Sequence, residues 1–452
     1  MIMQDLVDKF ERKAPVCVMV RALLENVLSP KRLDAIYDQH DHKQPEDVLL
    51  FSTLVEIMGL VATRVHRSVH AAYQAKLAEI AVTAKAVYDK LQRIKTGVSQ
   101  ALVRQTAARM KSILEQTGSP LADPLPGYNV LILDGNHMRR TQRRLKVLRT
   151  VNGAPLPGHS LVVLDPRWKL MVDVFPCEDA HAQERSLLSQ VLETVKAGDV
   201  WIDDRNFCTI GFLFGIRARK AFFVTRQHGS LPFELVGRRR YVGRCETGHV
   251  YEQRMRITDA HGMVASIRRI TIVLDEPTRD GDAEIHILTN LPRKVSALKI
   301  ADLYRGRWTI EAAFNEVAQN LEGEIETLGY PKAALFGFCV ALVAYNLLGM
   351  AQRCIGNVHA EAANKYGISI YYLAAEVARC YDGLEIAVGD TYWTKRYRDL
   401  SPKKMASELL RMAHHVVPAR YRKHKRGPKK PPPKMNKRKR NHVSTARLLN
   451  AS

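Results

Sequence analysis

Along the first 118 residues, apolar positions recur at helical spacing, as in Val48, Leu49, Leu54, Val55, Met58, Val61 and Val65, and no strand-like run interrupts them. A helix returns a side chain to the same face every three or four residues, so the pattern predicts a helical domain over 1–118. The stretch 118–127 (GSPLADPLPG) breaks that period with three prolines and predicts a linker over 119–127. Beyond it come short runs rich in Val, Ile and Leu. Residues 128–133 (YNVLIL) predict a strand, 159–164 and 169–175 a hairpin around Asp165, Pro166 and Arg167, and 182–195 a helix. A strand at 200–203, a helix at 210–219 and a strand at 221–225 (AFFVT) follow.

Three strands by way of a hairpin, then helix, strand, helix and strand, is the order of an α/β domain of the ribonuclease-H-like type, a mixed sheet with helices on its faces. Residues 128–226 form its first part. From 227 to 295 the pattern is β-only, with alternating runs at 241–245, 250–257, 267–274 and 284–291, which predicts a β-rich insertion. Helical signals return at Lys299, so residues 296–395 are expected to complete the core. Within them, 333–350 (AALFGFCVALVAYNLLGM) is long enough to resemble a membrane span, but Asn346 and glycines interrupt it and no second such run occurs, so a buried helix and no membrane are expected.

Charge changes the picture. The 452 residues carry 69 Lys and Arg against 46 Asp and Glu, a net +23, which points to a polyanionic partner. Part of the excess is local: past Glu408 there is no acidic residue, and thirteen Lys or Arg fall from Arg420 onward. Residues 396–452 therefore read as a basic C-terminal region, disordered from about 419. Lys85, Lys90, Arg93, Lys95, Arg104, Arg109 and Lys111 also crowd the end of the helical domain, as a solvated face or as a DNA-contacting one. The seven cysteines are scattered with no C-x-x-C pair, and the N-terminus has no secretory pattern, so a reducing, cytoplasmic setting is expected. His40 and His42, and likewise His414 and His415, read as solvated side chains, and the absence of a G-x-x-x-x-G-K-[ST] loop disfavours an ATP-driven motor.

A strand that ends in a carboxylate sets that group at the sheet's rim, where a ligand can reach it. Asp134 follows LIL, and VWID runs through Asp203 into Asp204. Each could simply cap the next element, but two in matched positions on neighbouring strands would repel strongly unless they shared a divalent cation. A third acid, Glu311, adjoins the buried stripe Ile310, Phe314, Val317 and Leu321 of a helix, with Arg307 one turn earlier, placed to pair with it or with a phosphate.

At these residues the chain resembles DDE transposases of the insertion-sequence-four family, whose third acid lies in a Y-x2-R-x3-E-x6-K signature. Tyr304, Arg307 and Glu311 match its first three positions, Asp134 in LILDGN matches the first aspartate, and Asp204 in DDRNF matches the second, in preference to Asp203. The lysine position falls on Ala318. The resemblance spans roughly residues 40–350. It implies two divalent cations, Mg²⁺ with Mn²⁺ as a substitute, bridged by Asp134 and held by Asp204 and Glu311, and strand cleavage followed by strand transfer without a covalent protein intermediate. It further implies double-stranded DNA as partner, both transposon ends and target, a homodimer on paired ends, and a nucleoid-associated location. Tyr304 and Arg307 would position DNA. Arg238, Arg239 and Arg240, with Arg254, Arg256, Arg268 and Arg269, form a cationic run on the β insertion, either a solvated sheet face or a surface for the same task. A degenerate DNA-binding regulator, suggested by Ala318, and a structure-specific nuclease of the same fold are the alternatives.

Overall fold

A computed structural model of the chain describes residues 2–41, 49–118, 122–139, 141–278, 281–424 and 442–451. Its centre is a nine-stranded mixed sheet. The strands are β1 (Asn129–His137), β2 (Ala154–Leu156), β3 (His159–Asp165), β4 (Leu170–Cys177), β5 (Asp199–Asp203), β6 (Phe222–Arg226), β7 (Glu234–Cys245), β8 (Gly248–Thr258), β9 (Val264–Leu274), β10 (Glu284–Thr289) and β11 (His442–Ser444). The order across the large sheet is β4-β3-β1-β5-β6-β10-β9-β8-β7, and β2 pairs with β11 in a separate ribbon. β1, β5 and β6 run parallel, whereas every other neighbouring pair in the large sheet is antiparallel. The five strands β4-β3-β1-β5-β6 are consistent with a ribonuclease-H-like core.

The pleat sorts side chains to two faces. Val130, Ile132, Val200, Ile202 and Val224 enter one core, with the helices Thr96–Leu114, Ala297–Arg305, Trp308–Asn320 and Pro331–Val358 on that side. Leu131, Leu133, Trp201 and Phe223 enter the other, under the helices Leu188–Thr194 and Ile210–Ala218. The β-rich segment is an extension of the core sheet, because β10 pairs with β6 through Ile287↔Arg226 and its neighbours. Sequence spacing shows alternation but not which edge a strand joins.

The helices before residue 118 share one core with those after residue 360. Glu376 accepts hydrogen bonds from the Val16 and Cys17 N–H groups at 2.8 and 3.1 Å, capping the helix Pro15–Val27 from the far end of the chain. Arg21 bonds Glu25, Glu385 and Asp390 at 2.9, 2.6 and 3.0 Å. The helix Pro331–Val358 is long and apolar enough to cross a membrane, yet its apolar stretch is enclosed by protein. Asn346 ties it to the sheet, its Oδ1 accepting from the Met171 N–H and its Nδ2 donating to the Met171 carbonyl, both at 2.9 Å.

The expectation of disorder from about residue 419 is corrected at both ends. Tyr421 is buried and its hydroxyl donates to Glu376, while β11 pairs with β2, and Ser444 and Arg447 bond Asp179 at 2.8 Å each. These few apolar and hydrogen-bonding residues anchor segments whose average composition is that of a solvated tail. Residues 425–441 lie outside the described residues, as do 119–121 of the expected linker and His42.

Candidate active site

Ile132 pairs with Ile202 across the parallel β1 and β5; two residues further on come Asp134, within β1, and Asp204, in extended backbone one residue past the end of β5, at the rim. By alternation both share the face of Ile132 and Ile202, the face on which the Trp308–Asn320 helix packs against β1. Asp203 points to the other face and is fully buried next to Thr225 of β6, its cross-strand partner. Neither of its carboxyl oxygens makes a well-formed hydrogen bond among the described residues, and burial pushes its pKa well up, the neighbouring Thr225 hydroxyl opposing that rise. Phe207, buried in the second core, anchors the turn that follows Asp204. β1 itself runs three residues past Asp134, where a strand end was expected, because β3 continues to pair with it through Asn136↔Ser160 and His137↔His159.

Glu311 comes from the first turn of the Trp308–Asn320 helix, anchored by buried Ile310, Val317 and Leu321. The link between helix and strand is Arg307. Its Nη1 donates to Asp134 Oδ2 at 3.0 Å and its Nη2 to Glu311 Oε1 at 2.7 Å, from a side chain only 7% exposed. Burial pushes the Asp134 carboxyl up to about 6; Arg307 and the Gly135 N–H, which donates to Asp134 Oδ1 at 2.9 Å, oppose that, while Glu311 and Asp204 add to it. Burial opposes the charge on Arg307, but Tyr304, Asp134, Asp204 and Glu311 outweigh it and raise its pKa. Tyr304 is itself buried, its phenol pushed up to about 12 chiefly by that burial. The helix carries Ala318 on its exposed side.

Three carboxylates are the oxygen-donor type that a hard divalent cation takes. Among the described residues, however, no three acidic, His or Cys side chains converge as a metal-binding group. The positive charge shared by Asp134 and Glu311 is the Arg307 guanidinium.

Residues 125–347 match the model of the family described as "Transposase DDE domain". The chain carries a DDE-type transposase domain. That domain spans the sheet, Asp134, Asp204, Arg307 and Glu311. The chain is also similar to a Sinorhizobium fredii (strain NBRC 101917 / NGR234) protein provisionally named transposase y4zB, 29% identical over an alignment 250 positions long that covers 49% of this chain and 66% of the relative, just under two thirds of its length.

The cationic candidates divide. Arg238, Arg240 and Arg254 are exposed on β7 and β8, and Arg239 bonds Glu284 at 3.0 Å and stacks over Tyr251. Arg268 is buried, paired with Glu252 at 2.8 Å and donating to the carbonyls of Leu291, Pro292 and Val295, so it is a structural bolt of the transposase domain. Near the end of the helical region, Arg104 and Lys111 are engaged by Asp173 and Asp165 on the sheet, Lys95 by Asp41, and Arg109 by Asn26 and the Leu400 carbonyl. Lys85 and Arg93 are exposed.

Sequence reasoning missed a polar cluster on the opposite face of β1. Glu184 sits over Gly135, where a Cβ would strike its carboxylate, and receives His137 Nε2 at 3.2 Å and Asn206 Nδ2 at 2.5 Å. Gly135 after the aspartate was the available signal, since a residue without Cβ admits a close neighbour.

Proposed function

We propose that the chain is the transposase of an insertion sequence: it binds the element's terminal inverted repeats as double-stranded DNA, pairs two ends as a homodimer, and cuts and joins strands using Mg²⁺ or Mn²⁺ held by Asp134, Asp204 and Glu311. The finer placement, in the insertion-sequence-four group, rests on Tyr304, Arg307 and Glu311 at signature spacing. The observation that carries the reading is the common face of Asp134 and Asp204, with Glu311 drawn to it through Arg307.

Bound there, divalent cations supply activation of a water or DNA 3′-hydroxyl and charge stabilisation of the leaving oxygen. The sheet fixes Asp134 within β1 and Asp204 directly after β5, which keeps their spacing constant between cleavage and transfer. The anchored helix sets Glu311 against them. A net charge of +23 attracts the polyanion, and Arg238, Arg240 and Arg254 offer exposed guanidinium groups to its phosphates. A cytoplasmic, nucleoid-associated setting follows from such a substrate.

The test is incubation of the full chain with DNA bearing the inverted repeats that flank its gene, with Mg²⁺ or with a chelator. Metal-dependent nicking at the repeat ends and joining to target DNA is the expected result. Cutting without joining would favour a nuclease, and end binding without cutting would favour a regulator.

A further inference from the structure

We infer that Arg307 is the resident counter-charge of the acidic site, holding Asp134 and Glu311 together until a divalent cation takes its place, so that metal entry and release of the guanidinium are one coupled event. The inference rests on the proposed metal-dependent reading.

Two carboxylates brought together out of water repel unless a positive charge lies between them. In this structure that charge comes from the chain: one guanidinium spans both acids, bonding Asp134 at 3.0 Å and Glu311 at 2.7 Å. The bridge joins residues 173 positions apart, so it holds the helix bearing Glu311 against β1 as well as neutralising the pair. A divalent cation that took the same carboxylate oxygens would stand beside the guanidinium, and like charges at such range in a largely buried site repel strongly. Both cannot keep the same oxygens. While it bridges the two acids, the guanidinium carbon also lies 4.8 Å from the centroid of the Trp308 ring, which is 59% exposed, so a guanidinium that leaves the acids must shift against that ring. A released Arg307 swings away from its place over that ring towards the surface, where a DNA phosphate is an available partner. Arg307 is thus a positioning residue whose two states report whether the site is loaded.

Mn²⁺ binding to the full chain, followed by the spin-resonance signal of free Mn²⁺ without DNA, tests this. Arg307→Gln should bind about tenfold more tightly than the wild type, and Arg307→Lys, which keeps the charge, should stay close to wild type. In the unmutated protein, Mg²⁺ should change the emission of Trp308 saturably, because Trp168, Trp201 and Trp393 are buried; Trp308→Phe should lose that change. The emission arm remains decisive if Arg307→Gln does not fold. Equal or weaker Mn²⁺ binding by folded Arg307→Gln, or no emission change at Mg²⁺ saturation, would overturn the coupling while leaving the metal site standing. Absence of Mn²⁺ binding in both proteins would overturn the metal reading itself, and the coupling with it.

Discussion

Replacing Asp203 by Val separates the two adjacent aspartates more sharply than any other change. Asp203 is 0% exposed, and neither its two carboxyl oxygens nor the Thr225 hydroxyl beside them makes a well-formed hydrogen bond among the described residues, Thr225 offsetting only part of the burial. Burying an unpaired polar group costs about 1–3 kcal/mol, and Val removes that cost while filling most of the same volume. A further contribution depends on pH. Burial raises the folded pKa of Asp203 above its usual 3.8, so the wild type's stability is fully present below that value and is lost as pH rises towards the folded pKa. The loss is at most about 1.4 kcal/mol per pH unit. The Val variant should therefore melt higher than wild type at pH 4, by a margin that widens towards neutral pH, and should still cleave end-bearing DNA. Melting curves between pH 4 and 8 and a nicking assay read both outcomes. A variant that melts below wild type throughout, or that folds but no longer cleaves, would refute the assignment of Asp203 to the far face and make it a member of the site.

Three other changes to the chain can be tested in the same way. Asn346→Ala strands the buried Met171 N–H and carbonyl and should destabilise by about 2–4 kcal/mol, read from urea unfolding; a loss below about 0.5 kcal/mol would show that the long helix is held by apolar packing alone. Glu184→Gln should lower the melting temperature most between about pH 4.5 and 6.5. The hydrogen bond with Glu184 raises the His137 pKa, whose stabilisation fades as pH climbs through that raised value, while His137 and Asn206 outweigh burial and lower the Glu184 pKa, whose stabilisation fades as pH falls through it; a flat difference across pH would contradict the pairing. Changing the nine Lys and Arg of residues 425–441 to Gln should reduce the slope of log affinity for duplex DNA against log salt by roughly five if about six of them engage phosphates, equally on end and unrelated DNA; an unchanged slope would assign those charges to solubility. Substitution is preferable to deletion because Tyr421 and Ser444, on either side, are docked.

Much of this arrangement was legible in the sequence, for a reason that also marks its limits. Strand alternation and turn residues are local, so β3, β4, β5 and β6 lie within a few residues of where the pattern predicts them, and Asp134 falls within β1 and Asp204 one residue past its neighbour β5. The pleat then decides between Asp203 and Asp204, a choice the spacing alone left to the signature. What local pattern cannot carry is pairing at a distance. Arg307 and Glu311 read as an i, i+4 pair, but the reach of Arg307 to Asp134 required the fold. Likewise Arg104, Arg109, Lys111 and Arg268 looked like free cationic surface, and each is committed to a partner far along the chain or across a strand.

The central claim, that Asp134, Asp204 and Glu311 act together on a DNA phosphate, is tested most directly by measuring end cleavage in Mg²⁺ for Asp134→Ala, Asp204→Ala and Glu311→Ala, with end binding measured alongside. Each variant should lose cleavage while binding ends within a few-fold of wild type, because phosphate contacts elsewhere supply most of the affinity. Near wild-type cleavage by any one of the folded variants would remove that residue from the site and contradict the account.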